Sequence, residues 1–263
     1  MSRTPDTAVP RWLLVPASAA LALVAVPLIG LMVRVPWARI PQLLATPAAQ
    51  DALWLSLRTC AASTVLSLTL GLPLAVVLSR LTGHWAVMVR TISVLPMVLP
   101  PVVAGLVLLI TLGRRGVLGQ YLSVWGVDIG FTTAAVVIAQ TFVSMPYLVI
   151  TVEGALRSTD RALEVVAATL GARPTMVLRR VTLPLVGPAI LGGTTVAFAR
   201  ALGEFGATLT FAGSLQGTTR TLPLQIYLQR ETDTNQALAL SVVLIAVASV
   251  LMVLPTLVTR RSR

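Results

Sequence analysis

Long apolar segments alternate with shorter polar ones along the whole chain. Residues 12–33 form the first apolar run, which is long enough to cross the roughly 30 Å hydrocarbon core of a bilayer. A cleaved signal peptide would have a shorter apolar region of about 7–15 residues, so we expect an uncleaved helix here. Further apolar segments predict five more spans, at about residues 52–79, 91–112, 132–152, 184–211 and 237–258.

Prolines and glycines mark the interruptions of this pattern. Pro100 and Pro101 lie inside the third apolar segment, and we expect them to kink it or split it, because proline removes a helical hydrogen bond. Residues 113–131 are rich in glycine and aromatic residues, which is typical of a turn followed by a short interfacial helix. No repeat or low-complexity linker divides the chain, so we predict one transmembrane domain over residues 1–263.

The composition agrees with a membrane protein. Hydrophobic residues make up 56% of the chain and charged residues only 11%. Soluble domains average about 45–50% apolar and about 25% charged residues. The pattern and the composition together predict an all-α membrane protein with six transmembrane helices.

The distribution of charge predicts the orientation. The net charge is +11 and every basic residue is an arginine. With the N-terminus inside the cell, twelve arginines fall in cytoplasmic segments and six in the opposite ones. Cytoplasmic loops carry the excess of basic residues, so we predict that both termini are cytoplasmic. The arginines are spread over many loops without a basic aromatic patch, so nucleic-acid binding is not expected.

The residue types that are missing exclude several kinds of site. A Walker A loop needs a lysine to reach the phosphates, and the chain has no lysine. Cys60 is the only cysteine and His84 the only histidine, so a disulfide within the chain is excluded and a Cys and His metal site is not expected. We therefore expect no metal, no cofactor and no catalytic residue in this chain.

Three ionisable residues fall inside predicted spans, and such residues are candidates for function. Arg200 and Glu204 are four residues apart, so they can meet on one helix face and neutralise each other. A direct role in a translocation pathway is the alternative. Arg58 lies near the start of the second span, where its long side chain can reach the interface.

One polar segment, residues 153–183, interrupts the apolar pattern for longer than a simple turn. Residues 160–170 are good helix formers, and Gly171 suits the position that ends a helix in a left-handed turn. Pro174 can then occupy the first turn of a second short helix. We interpret Glu164 as an exposed anion that a partner could bind. An alanine-rich helix packed on its own bundle is the alternative.

The stretch "EVVAATLGARPTMVLRRVTLP", residues 164–184, closely resembles the cytoplasmic loop that permease subunits of ABC importers share. That loop has Glu-x-Ala-Ala, then Gly, then a β-branched residue ten positions later, then x-Leu-Pro. The matching positions here are Glu164, Val166, Ala167, Gly171, Val181, Leu183 and Pro184. Val166 replaces an alanine, and Ala168 is a candidate to share its role.

Two further stretches narrow the resemblance. "FARALGEFGATLTFAG", residues 198–213, is similar to the oxyanion branch of these permeases, which covers molybdate, tungstate, sulfate and thiosulfate. "TRTLPLQIY", residues 219–227, looks more like molybdate permeases than sulfate permeases. The resemblance therefore implies import of molybdate or tungstate. A sulfate or thiosulfate permease stays open, as does a membrane scaffold or enzyme without an ATPase.

The resemblance also implies an architecture and a set of partners. It implies a type I ABC importer core in the plasma membrane, with a cytoplasmic coupling loop at about residues 153–184. Two ATPase subunits would receive the coupling loops of two copies of the chain, and an extracytoplasmic binding protein would deliver the oxyanion. Within the bilayer, the candidate pathway residues are Pro100, Pro101, Arg200, Glu204 and Thr208.

Overall fold

The computed structural model describes residues 10–261, with side chains described for residues 10–253. Every regular element in this range is helical. Short 3-10 turns occur at Arg11–Leu13 and Trp37–Arg39, and a π-helical turn at Leu178–Thr182. The α-helices are α1 (Leu14–Arg34), α2 (Ile40–Leu44), α3 (Pro47–Arg80), α4 (Gly83–Val98), α5 (Pro101–Leu112), α6 (Gly119–Val124), α7 (Thr133–Ser158), α8 (Ala162–Thr169), α9 (Pro174–Val177), α10 (Leu183–Leu185), α11 (Gly187–Leu202), α12 (Gly206–Ala212), α13 (Leu222–Thr232) and α14 (Thr234–Arg261).

Four of these helical segments are each long and apolar enough to cross a membrane: Arg11–Arg34, α3, α7 and α14. Two bent pairs pass the same test together. Helices α4 and α5 meet at 115°, and Pro174–Leu185 meets α11 at 70°. The described residues therefore hold four spanning helices, or up to six if each bent pair crosses once, at the places where the apolar pattern predicts spans.

Helix α7 forms the centre of the bundle, between α3 and α11. Small residues allow this close packing, because they let helix backbones approach each other. A methyl group at Gly193 of α11 would lie 3.1 Å from Leu148 of α7, and one at Gly71 of α3 would lie 3.0 Å from Met145. Leu148 is fully buried at this junction. The polar positions of α3 that face inward are small residues such as Ser63 and Ser67, which are also fully buried.

A second buried cluster joins the two helices that follow breaks, α5 and α12, to α7. A methyl group at Gly105 would lie only 2.7 Å from the carbonyl oxygen of Ala207, and one at Gly206 would lie 2.6 Å from the Cβ atom of Pro101. Phe211 fills the space between these helices and α7, and its side chain is fully buried. The two breaks of the chain thus lie against each other.

The structure corrects two predicted boundaries and confirms one predicted break. The third segment splits between Val98 and Pro101 as its prolines predict. The predicted end of the fourth span at residue 152 is wrong, because α7 continues to Ser158. The predicted continuous span 184–211 is also wrong. Helix α11 ends at Leu202, and α12 begins only at Gly206.

Candidate functional site

The coupling loop predicted at about residues 153–184 corresponds in the structure to residues 159–186, between α7 and α11. Its first helix, α8, begins after Asp160, whose Oδ1 atom accepts a hydrogen bond of 2.9 Å from the N–H of Ala162. It ends as the sequence predicts. Gly171 has a φ of +83°, which is the left-handed conformation that favours glycine at this position.

Two backbone hydrogen bonds complete the turn at Gly171. Its N–H donates to the carbonyl of Ala168 over 3.0 Å, and the N–H of Ala172 donates to the carbonyl of Ala167 over 3.1 Å. This pair of bonds is a Schellman motif, which satisfies carbonyls at a helix end that otherwise have no donor. Pro174 then starts α9, as predicted, and the chain reaches α10 through the π-helical turn. The loop is therefore a bent pair of short helices.

The family-like positions of the coupling loop fall on two sides of α8. One side borders a cavity of about 290 Å³, and the other borders an open groove of about 490 Å³. Glu164 and Ala168 line the cavity, together with Arg80 and Arg161. The groove is lined by Leu163, Val166, Ala167, Leu170, Arg180, Val181, Pro184 and Leu185. Leucine and valine side chains dominate the groove, so the two sides differ in polarity.

Glu164 contacts its own chain and is partly buried, so its interpretation as an exposed anion is wrong. Its carboxylate accepts a hydrogen bond of 2.5 Å from the hydroxyl of Thr182 and pairs with Nη2 of Arg80 at 3.3 Å. Only 20% of its side chain is exposed. Glu164 thus ties α8 to the π-helical turn and to the end of α3.

Sequence reasoning missed a second acidic centre, Glu153 of α7. Its side chain is 6% exposed and pairs with Arg90 of α4 and, at 2.9 Å, with Nε of Arg157. The predicted end of the span at residue 152 placed Glu153 in a polar loop, which hid its burial. The spacing of Glu153 and Arg157, four residues apart, was the available signal.

The pair of Arg200 and Glu204 forms as the sequence predicts. Nη2 of Arg200 lies 2.7 Å from Oε2 of Glu204. The other carboxylate oxygen of Glu204 accepts a hydrogen bond of 2.8 Å from the N–H of Ala207 in the first turn of α12. Glu204 is 1% exposed. Its carboxylate therefore neutralises Arg200 and caps the new helix, which explains why the chain breaks at residues 203–205 rather than continuing as one span.

The remaining pathway candidates lie near this break. Gly206 packs against Pro101, so the break between Pro100 and Pro101 adjoins the break at Glu204. Thr208 of α12 is fully buried, and its hydroxyl has no hydrogen-bond partner among the described residues. The structure thus brings the five candidates to one region of the bundle.

Arg58 lies apart from that region. Its guanidinium carbon is 4.4 Å from the centroid of the Trp54 ring, which is within the range of a cation–π contact. Both side chains are exposed. This position favours the interpretation of Arg58 as an interfacial residue. Across residues 10–253, no three His, Cys, Asp or Glu side chains lie together as a metal site.

Comparison with known proteins identifies the family. Residues 67–263 match the binding-protein-dependent transport system inner membrane component. The chain belongs to this family. It is a multi-pass inner-membrane permease of the ABC importer type, and the ATPase of such importers is a separate subunit.

Two curated relatives show how closely the permease matches. The molybdenum transport system permease protein ModB of Mycobacterium tuberculosis (strain ATCC 25618 / H37Rv) is 57% identical over 245 residues, which cover 93% of each chain. The protein of the same name in Escherichia coli (strain K12) is 38% identical over 216 residues, which cover 81% of this chain and 94% of the relative.

Solved structures confirm the permease fold. A bacterial alginate ABC transporter, in complex with a periplasmic protein bound to an alginate pentasaccharide, matches with a TM-score of 0.74 at 20% identity, over 95% of this chain and 93% of that chain. The inward-facing methionine ABC transporter MetNI matches with a TM-score of 0.64 at 19% identity, over 81% of this chain and 94% of that chain. At these identities the likeness concerns the fold alone.

Proposed function

We propose that this permease imports molybdate, and the similar dianion tungstate, across the plasma membrane. The observation that carries the proposal is the 57% identity over 93% of the chain to a permease named for molybdenum transport. The match extends over nearly the whole length, so it includes the coupling loop and the break at Glu204. The "GEFGATLTF" and "TRTLPLQIY" stretches of the sequence support the same substrate class.

The proposed topology has six spans in one domain over residues 1–263, with both termini in the cytoplasm. In this count α4 and α5 together form the third span, and α11 forms the fifth span directly after the coupling loop. This count places the coupling loop on the same side as the termini, where twelve arginines are found against six on the other side. The excess agrees with the general enrichment of arginine in cytoplasmic loops.

The proposed partners are two ATPase subunits, a second copy of the chain and an extracytoplasmic oxyanion-binding protein. The groove beside α8 supports a docked ATPase. Leu163, Val166 and Leu170 are 56%, 54% and 83% exposed, although they lie on a loop outside the spans. Exposed apolar surface of this kind marks an interaction site. We assign this contact to Val166, Ala167, Val181 and Pro184, with Glu164, Ala168, Gly171 and Leu183 shaping the loop behind it.

The proposed pathway passes the two breaks. A dianion in a low-dielectric environment must be compensated by charge or hydrogen bonds. The N–H groups after Pro101 begin a helix and have no intrahelical acceptor, and the buried hydroxyl of Thr208 can donate. Arg200 carries five donors, and its side chain keeps 27% exposure beside Glu204. Because Glu204 already neutralises Arg200, we propose that the pathway holds the anion weakly, so that selection rests with the binding protein.

Reconstituted uptake tests this function. The permease is placed in liposomes with its ATPase subunits and binding protein, and ATP-dependent accumulation of radioactive molybdate is measured with unlabelled tungstate or sulfate as competitor. We expect uptake that tungstate suppresses and sulfate does not. Suppression by sulfate alone, or uptake of sulfate without molybdate, would overturn the proposed substrate. Failure of the ATPase to associate with the chain would overturn the importer itself.

A further inference from the structure

Three contacts join the end of α3 to the end of α7 and to the coupling loop. Nη2 of Arg157 donates to the carbonyl of Leu78 over 3.0 Å, and Nη2 of Arg161 donates to the carbonyl of Ser79 over 3.1 Å. Arg80, the last residue of α3, pairs with Glu164 of α8. Each contact joins residues about eighty positions apart in the sequence. The contacts therefore connect elements that are not neighbours along the chain.

The carbonyl groups of Leu78 and Ser79 depend on these arginine donors. Leu78 and Ser79 lie in the last turn of α3, where carbonyl groups have no donor within the helix. The C-terminus of a helix also carries partial negative charge, which cations stabilise. Arg157 and Arg161 supply both the hydrogen bonds and the charge. The end of α3 is therefore completed by residues of α7 and of the coupling loop.

Glu153 holds this arrangement in place from the side of α7. Its nearly buried carboxylate binds Arg90 of α4 and also Arg157, whose other end reaches Leu78 of α3. A charged group that is buried between two cations is costly to leave unpaired, and charge-assisted hydrogen bonds are stronger than neutral ones. This carboxylate thus links α7 directly to α4, and to α3 through Arg157, next to the start of the coupling loop.

We propose that Glu153 is a positioning residue that makes the ends of α3, α4 and α7 move as one body with the coupling loop. A displacement of the loop by the ATPase then reaches α4, which leads into the break beside the pathway. Without Glu153, α7 and the loop lose their link to α4, and Arg157 loses the carboxylate that orients it towards Leu78 of α3. This inference rests on the proposed function, because it takes the loop as the part that the ATPase displaces.

The first measurement needs neither substrate nor ATPase. Purified full-length chain in nanodiscs is treated with trypsin, and cleavage after Arg161 and Arg180 is followed over time. We expect Glu153→Gln to cleave about tenfold faster than the wild type, since local opening controls access of a protease. Glu231→Gln is the matched control, because it makes the same change in an exposed ion pair on α13. Equal cleavage of both variants would overturn the proposal.

The second measurement asks whether the joined ends carry the coupling. In the reconstituted importer, the number of ATP molecules hydrolysed per molybdate ion is measured for both variants. Glu153→Gln should raise this ratio several-fold while ATP hydrolysis continues, and Glu231→Gln should leave it unchanged. A mere loss of folded protein would lower both rates together and leave the ratio unchanged, which would overturn the positioning role.

Two further comparisons distinguish a failure of this proposal from a failure of folding or of the proposed function. If Glu153→Gln is not recovered in folded form, Arg90→Gln takes its place, because it removes the link to α4 and leaves the pair of Glu153 and Arg157. It should also speed cleavage and raise the ratio, and wild-type behaviour would overturn the proposal. If the wild type accumulates no molybdate, the proposed function fails, and the tryptic comparison still decides whether Glu153 positions the loop.

Discussion

A glutamate organises each of two regions, the break at residues 203–205 and the coupling loop, but the two glutamates act over different distances in the sequence. Glu204 is 1% exposed, and its partners Arg200 and Ala207 lie within four residues of it. Glu164 keeps 20% exposure, and its partners Arg80 and Thr182 come from distant turns of the chain. The first arrangement fixes a break inside the bundle, and the second fastens a surface loop to it.

The difference teaches how the two regions serve an importer. A break inside the bundle must stay intact while helices around it move, and a local, buried pair gives it that rigidity. If an ATPase displaces the coupling loop, as proposed, the loop needs contacts that hold it to the bundle without fixing it permanently. Ion pairs of exposed groups are weak, at about 0–1 kcal/mol, so they can rearrange during a transport cycle.

The largest loss of stability should come from Glu204→Ala. It leaves Arg200 without its counter-ion and removes the acceptor for the N–H of Ala207, and breaking a buried pair from one side costs about 3–5 kcal/mol. Thermal unfolding of the purified chain, followed by size-exclusion chromatography, measures the loss. Glu164→Ala is the comparison and should lose far less. Similar losses of stability in the two variants would contradict the distinction between the break at residues 203–205 and the coupling loop.

A smaller loss of stability is expected from Gly105→Ala, which tests the packing of α5 against α12 beside the break at residues 203–205. The new methyl group would lie 2.7 Å from the carbonyl oxygen of Ala207, and overpacking of this kind costs about 1–3 kcal/mol. Gly154→Ala is the matched control, because a methyl group there meets nothing within 4 Å. The same thermal assay should place the control at or slightly above the wild type, and an equal loss in both would contradict the close approach of α5 and α12.

The coupling loop should respond to Gly171→Val through its backbone. A β-branched residue at a φ of +83° is strained by about 1–2 kcal/mol. The protein should insert normally, while uptake per copy falls several-fold because the bend of the loop changes. Gly171→Asn is the control, since asparagine tolerates the left-handed region better. Normal uptake by the valine variant would argue against the bent loop as the coupling element.

The smallest effect should come from Arg80→Gln combined with Glu164→Gln in a double-mutant cycle. Arg80 is 51% exposed, so the interaction energy should be at most about 1 kcal/mol and should decrease with added salt. Thermal unfolding at low and high ionic strength measures both quantities. A coupling energy well above that bound, or one insensitive to salt, would make this pair as permanent as that of Glu204.

The predicted features that the structure confirms share one property. The apolar runs, the split at Pro100 and Pro101, the left-handed end of α8 at Gly171 and the pair of Arg200 and Glu204 all depend on residues close together in sequence. Another feature, which sequence reasoning missed, depends on the packing of residues far apart in the sequence. Glu153 was missed because its burial and its partner Arg90 come from packing of α4 against α7.

The sequence alone located the apolar segments that can cross a membrane and the bends at Pro100 and Gly171. Lipid allows only segments whose backbone hydrogen bonds are satisfied internally, and the apolar pattern marks those segments. The family-like loop also predicts the surface that we propose for the ATPase contact. The tertiary structure alone decided that Glu164 pairs with Arg80, and that the breaks at Pro101 and Glu204 meet. These contacts join residues more than eighty positions apart, so the packing of the helices, and not the local pattern, selects them.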